Sequence, residues 1–376
     1  MAETDGKPRV LVTGGVGFVG RNFVQFLVEN NLASKIRVID KVPPSTGWLN
    51  DKHKEIFKSV DFCQANLSNP SSCQRLFKDS NGLGFDYVFN LAAETKYGQT
   101  EEVYKELVYN VSVNCAREAA ATGVKRFIEV STAQVYNSDK GISSEDSKVD
   151  PWTLIGKHKL EAEKSLATIP DLKYVILRPA IVYGIGDKYG ITPRLIIGAV
   201  YRQLKEKMEL LWTKDLRMDT VHVHDLSRAM WHIKDTGANG EIYNVVDQGH
   251  STQGSISELV STIFGIRYGY HGTVLSNLAR LNMTDVVDGS NEKHLGPWSE
   301  ACNECGIVNT PLTPYLDKEL LYNKHLHING SKLEKTGFTF EHPKMTAEGL
   351  KQVVDDYVGS GLFPPSLAAA AASSED

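Results

Sequence analysis

The chain predicts an α/β fold: a doubly wound parallel sheet followed by a smaller C-terminal α/β lobe. Two observations predict it. Short, β-branched apolar runs alternate with longer amphipathic stretches through the first half, and that rhythm breaks after Gly184. Strands buried on both faces read as continuous apolar runs, and the stretches between them supply the covering helices.

The first run, RVLVT at 9–13, reads as a buried strand, and 22–29 as the helix after it. IRVID at 36–40 is the second strand, with later strands at 61–64, 87–91, 126–130 and 174–177 and helices at 70–78, 101–122 and 154–167. Beyond Gly184 a helix fits 192–207, a strand 210–212, a strand 220–224, a helix 225–234 and a strand 241–245. The stretch 277–313, rich in Gly, Asn and Pro, reads as a long irregular excursion of the sort that borders a binding site. A last amphipathic helix covers 346–357. The domain reading is a first domain over 8–184, rejoined by 215–247, a substrate lobe from 185–214 and 248–362, and a disordered tail over 363–376.

Composition excludes several classes of function. Of 376 residues 41% are hydrophobic, and the net charge of −5 leaves no basic block for nucleic acid. No apolar run is long enough to span a membrane, and the polar, acidic start does not read as a targeting segment. Five cysteines, an odd number, point to reduced thiols and a cytoplasmic location. Cys302 and Cys305 form a CxxC pair, which alone is half a zinc site and reads as surface thiols in a loop.

Function enters at the first turn. Gly14, Gly17 and Gly20 lie between the first strand and first helix, and Asp40 closes the second strand 20 residues after Gly20. Gly14 permits the tight turn, Gly17 lets backbone approach a pyrophosphate, and Gly20 lets helix and strand pack closely. Phe18 and Val19 open the helix, whose free N–H groups attract phosphate. Asp40 is placed to hydrogen-bond a ribose and to repel a 2′-phosphate, which favours NAD over NADP, while neighbouring Lys41 tempers that preference.

With these residues in view, the chain resembles the extended short-chain dehydrogenase/reductases, the NAD-dependent epimerase/dehydratase group, over roughly residues 8–260. Ala65-Asn66-Leu67 resembles the adenine-contacting step, and Asn90-Leu91-Ala92-Ala93 the strand end lining the cofactor. Asn110-Val111 falls where the family has a mid-domain Asn-Val. The run from Val130 to Tyr136, with Ser131 and Thr132, resembles the active-site segment, and Leu177 to Gly184, with Pro179, Ile181 and Val182, the turn passing the nicotinamide. Val221 to Leu226 and Tyr243-Asn244-Val245 resemble later family segments.

The resemblance implies NAD as cofactor, Thr132 as the hydroxyl holding the substrate oxygen, and Lys159 as the lysine of a Tyr-x-x-x-Lys pair. Ile155 stands where that tyrosine is expected, and no tyrosine occurs between Tyr136 and Tyr174. Three readings follow. Another group moves the proton, with Tyr97, His158 or Glu94 as candidates; or the protein binds NAD as a sensor or scaffold; or hydride transfer persists slowly, since one general acid–base contributes about 10²–10⁴-fold. His158, beside Lys159 on the helix, reads as a surface residue pointing elsewhere. Arg178, His222 and Asp225 read as structural.

The leading expectation is therefore an NAD-binding protein acting on a polar carbonyl or alcohol such as a nucleotide sugar, with impaired or altered proton transfer. The alternatives are a non-catalytic NAD-binding module and a steroid-type alcohol dehydrogenase. Polar sites of the C-terminal lobe are Thr192, Arg194, Arg202, Lys214, Arg217 and the loop near Trp298. The resemblance also implies a homodimer pairing the helices at 101–122 and 154–167. No metal, nucleic-acid or membrane partner is expected.

Overall fold

The computed structural model describes residues 6–138 and 140–368. In chain order, the first lobe contains β1 (Arg9–Thr13), α1 (Phe18–Glu29), β2 (Lys35–Asp40), α2 (Asp51–Phe57), β3 (Asp61–Gln64), α3 (Pro70–Leu76) and β4 (Tyr87–Asn90). There follow α4 (Glu101–Tyr104), a π-helical turn (Lys105–Asn110), α5 (Val111–Ala121), β5 (Arg126–Val130), α6 (Leu154–Leu166), β6 (Tyr174–Pro179) and β7 (Ile181–Tyr183). Next come α7 (Thr192–Leu204), β8 (Met208–Leu210), β9 (Thr220–His222), α8 (Val223–Thr236), β10 (Ile242–Val245), α9 (Gln253–Phe264) and β11 (Tyr268–Tyr270). The chain finishes through α10 (Gly272–Leu281), α11 (Met283–Glu304), α12 (Ser331–Glu334), α13 (Ala347–Gly359) and α14 (Pro365–Ala368).

Seven strands form one parallel sheet in the order β10-β6-β5-β4-β1-β2-β3. The expected doubly wound arrangement is thus present, with its reversal between β1 and β4, where such sheets bind ligands at the strand ends. Period-two burial explains the two helical layers. Val10 and Val12 of β1 pack with Phe23 and Leu27 of α1 and Met230 of α8, whereas Leu11 packs with Val111 and Cys115 of α5. Small sheets pair β7 with β9 and β8 with β11.

The second lobe is mainly helical, with Ile196 and Val200 of α7, Val260 of α9, Trp298 of α11 and Val354 of α13 in one core. Four sequence expectations change. Residues 277–313 are not an irregular excursion: most of them lie in α10 and α11. Gly289 and Gly296 face open space, so they cost helix propensity without breaking the turn. Cys302 is buried at the end of α11 and Cys305 is exposed just after it, so the pair is not in a loop. Nor does the tail begin at residue 363, because Phe363 and Leu367 are buried against the α7 core; 369–376 lie outside the described residues. Finally, Leu333 and Phe338 belong to the first lobe's core, where α12 packs beside β10. Among the described residues no helix is long and apolar enough to cross a membrane.

Candidate functional site

A cavity of about 580 Å³ opens at the carboxyl ends of the strands and runs from the glycine turn into the second lobe. At one end, Gly14 has φ +68, and a Cβ there would sit 2.6 Å from the Ala92 backbone. A Cβ at Gly20 would lie 2.2 Å from the Gly14 carbonyl oxygen. Both glycines are therefore required by packing. Gly17 carries no capping side chain, so the first N–H groups of α1, at Phe18 and Val19, remain for an anion. Arg21 holds this cradle: buried, it donates to the carbonyls of Val16, Gly47 and Trp48.

Asp40 accepts hydrogen bonds from the N–H groups of Val16 and Val42 at 2.9 and 3.0 Å. Burial pushes its carboxyl up, against those bonds. The Lys41 ammonium lies 3.7 Å from Glu94, which draws it away from the role of a 2′-phosphate partner. Asn66, Leu67, Leu91, Ala92, Ala93, Pro179, Ile181 and Val182 line the same cavity. Asn110 does not line it. The π-helical turn advances the register, so Leu107 and Val111 face the cavity in its place.

Deeper in, Thr132 lines the cavity and accepts from the N–H of Gln134 at 3.2 Å, keeping its own proton available. Ser131 donates to Glu163, which also takes Arg178 at 2.5 Å, so both belong to a structural network. Lys159 is 5% exposed and its ammonium is already held by Glu129 at 3.0 Å and the Val130 carbonyl at 2.7 Å. Glu129, 0% exposed, also accepts from Asn90 and Ser112 at 2.6 and 2.9 Å. Ile155 lines the cavity and clusters with Tyr104 and Val108, against which Tyr97 also packs. His158 is buried, not on the surface, and its ring lies on Tyr104 outside the cavity.

Three contributors, Asp187, Lys188 and Lys324, were not named from the sequence. Asp187 is buried and accepts from the N–H groups of Tyr189, Gly190, Ile191 and Thr192, which fixes the loop that brings Lys188 over the cavity. Burial pulls the Lys188 ammonium down. Arg194, Arg217 and Lys324 also line the cavity. Desolvation pulls the half-buried Arg194 down to about 10, and among the described residues its one hydrogen bond is a 3.6 Å contact to Met218 sulfur.

Residues 10–246 match the NAD dependent epimerase/dehydratase family. The chain belongs to that family. A probable dTDP-glucose 4,6-dehydratase of Sinorhizobium fredii is 28% identical over 63% of this chain and 71% of its own. A UDP-glucose 4-epimerase of Vibrio cholerae is 30% identical over 48% of this chain and 53% of its own. The dTDP-glucose 4,6-dehydratase of Streptomyces venezuelae with NAD and TYD bound superposes with a TM-score of 0.68 at 20% identity, covering 95% of this chain and 99% of that one. That last likeness establishes the fold. The glycine cradle, the uncapped helix start and the Asp40 carboxylate of this family member fit the family's NAD.

Proposed function

We propose that this epimerase/dehydratase family member binds NAD(H) and acts on a polar carbonyl or alcohol carrying an anionic handle, as a nucleotide sugar does. One observation carries the reading. A single cavity is lined by the dinucleotide cradle, by the cations Arg194, Arg217 and Lys324, and by Thr132. The cradle suits the cofactor pyrophosphate, and the three cations suit a second diphosphate. Bound NAD supplies hydride acceptance or donation. The chain's own part is to hold the cofactor through Gly14, Gly17, Gly20 and Asp40, and to hold the substrate oxygen through Thr132.

Lys159 is proposed as a positioning and charge-bearing group, because its ammonium is already shared between Glu129 and Val130. Ile155 supports the second reading, an NAD-binding module that does not turn over by the usual route, since isoleucine cannot move a proton. Calorimetry with NAD, followed by mixing the loaded protein with UDP-glucose and dTDP-glucose, separates the readings. Binding with cofactor reduction supports the enzyme; binding without it supports the module; no NAD binding removes both.

A cytoplasmic location is proposed from the free cysteines. A homodimer across α5 and α6 is proposed as the assembly. None of the exposed large apolar side chains lies on those helices, so the contact would be polar. Light scattering tests it, and a monomeric mass removes it.

A further inference from the structure

We propose that Tyr97 is the proton-transferring hydroxyl of this site, standing in for the tyrosine that Ile155 replaces. The proposal rests on the enzymatic reading above. Its ground is the direction of a hydrogen-bond chain on the cavity wall. The Gly156 N–H donates to Thr153 Oγ1 at 3.0 Å, Thr153 donates to Gln134 Oε1 at 2.8 Å, and Gln134 Nε2 donates to Tyr97 Oη at 2.7 Å. The Tyr97 proton is left at the end of the chain, with no acceptor among the described residues.

That proton is in the right place. Tyr97, Gln134, Thr132 and Ile155 line the one cavity, and Tyr97 packs against the cluster that Ile155 forms with Tyr104 and Val108. The loop is held from behind by Tyr104, whose hydroxyl donates to the Lys96 carbonyl at 2.7 Å and accepts from the Gln99 N–H at 3.3 Å. Gly98 has φ +77, and a Cβ there would fall 2.6 Å from the Asp317 carboxylate, so the turn that carries Tyr97 admits only glycine at that point. Tyr189 and Tyr322 also line the cavity, but among the described residues neither hydroxyl is held by a side chain and neither packs against the Ile155 cluster.

Burial pushes Tyr97 up to about 12, with Glu319, Tyr104 and Asp187 adding to it and the Gln134 amide opposing. It is therefore a donor at neutral pH. In the reducing direction the tyrosine O–H bond breaks and the product O–H bond forms at the substrate carbonyl oxygen. The electron pair reaches the carbonyl carbon as hydride from the dihydronicotinamide, so the carbonyl is reduced and the cofactor oxidised. The oxidising direction is the reverse, with tyrosinate taking the alcohol proton. Gln134 and Thr153 are positioning residues.

The test compares native protein, Tyr97→Phe and Gln134→Leu, each loaded with NAD and mixed with UDP-glucose or dTDP-glucose. Tyr97→Phe is expected to lower single-turnover hydride transfer by about 10²–10⁴-fold with unchanged affinity for NAD. Transfer within tenfold of native overturns the proposal while leaving the enzymatic reading intact. No transfer in native protein that binds NAD overturns both. A second readout does not need turnover: tyrosinate absorbance in alkaline titration. Oxidised NAD, bringing a positive ring, is expected to lower the pKa of one tyrosine in native protein. The shift should vanish in Tyr97→Phe and shrink in Gln134→Leu. An identical shift in Tyr97→Phe, or none in native protein, refutes placement of Tyr97 at the nicotinamide.

Discussion

Replacing Glu129 with glutamine tests the buried heart of the site at almost no change in shape. The carboxylate serves three donors, Asn90, Ser112 and Lys159, at 2.6, 2.9 and 3.0 Å. An amide has a single acceptor oxygen, and its NH₂ would meet a donor head-on. At least one of the three loses its partner, and the Lys159 ammonium, with 6% of its side chain exposed, loses its counter-charge. Breaking a buried pair from one side costs about 3–5 kcal/mol. The structure places this pair toward the upper end, because Thr13 is linked to the same network through Asn90 at 2.6 Å. Urea unfolding followed by tryptophan fluorescence reads the loss. The double variant Glu129→Leu/Lys159→Met, which removes both charges, should recover most of the stability. A Glu129→Gln loss below about 1 kcal/mol, or a double variant weaker than both singles, would refute the view that Lys159 is held by a counter-charge.

Three further outcomes are expected. Asp40→Asn should weaken NAD binding by roughly 10–100-fold, the value of a charged hydrogen bond, and narrow the preference over NADP; calorimetry with both dinucleotides reads it, and unchanged selectivity would count against the ribose assignment. Arg194→Met should weaken UDP binding by a similar factor while leaving the unliganded protein equally stable, since its one hydrogen bond among the described residues is a 3.6 Å contact to Met218 sulfur; a large loss of stability would mean the arginine is structural. Acid should destabilise the fold, because burial holds His53 at about 3 and His222 and His294 at about 4, against 6.5 when unfolded. Each then contributes stability that is present above 6.5 and lost as pH falls toward 4, on the order of 2 kcal/mol apiece. Asp247, raised to about 6 by burial, works in the opposite sense and offsets part of the loss. Urea midpoints at pH 7 and 5 should converge in His53→Leu relative to native protein; parallel curves would exclude His53.

The cofactor half of the site was legible because it is local. Gly14, Gly17, Gly20 and Asp40 act through backbone approach and one strand end, and β1, β3 and β5 have the predicted limits. The substrate half was not. Lys188, Arg194 and Lys324 come from separate segments, and only tertiary folding collects them. The Tyr97–Gln134 contact spans 37 residues and leaves no periodic trace. Asn110 was misplaced because a π-helical turn has no sequence signal as strong as a glycine. One signal was available and unused: Glu129 stands inside the apolar run RFIEV, and a carboxylate in a buried strand requires a buried donor. Lys159 is that donor.

The two walls of the cofactor cleft meet again on α13. Asn50, following the loop on the adenosine side, donates to Asp356 at 2.6 Å. The next residue, Tyr357, donates to the carbonyl of Asp187 at 2.6 Å, gripping the loop that carries Lys188. The helix α13 thus acts as a tie-rod between the loop after β2 and the loop that carries Lys188. A chain ended at residue 345 should keep the cradle but hold the dinucleotide weakly, and calorimetry on that truncation measures the coupling.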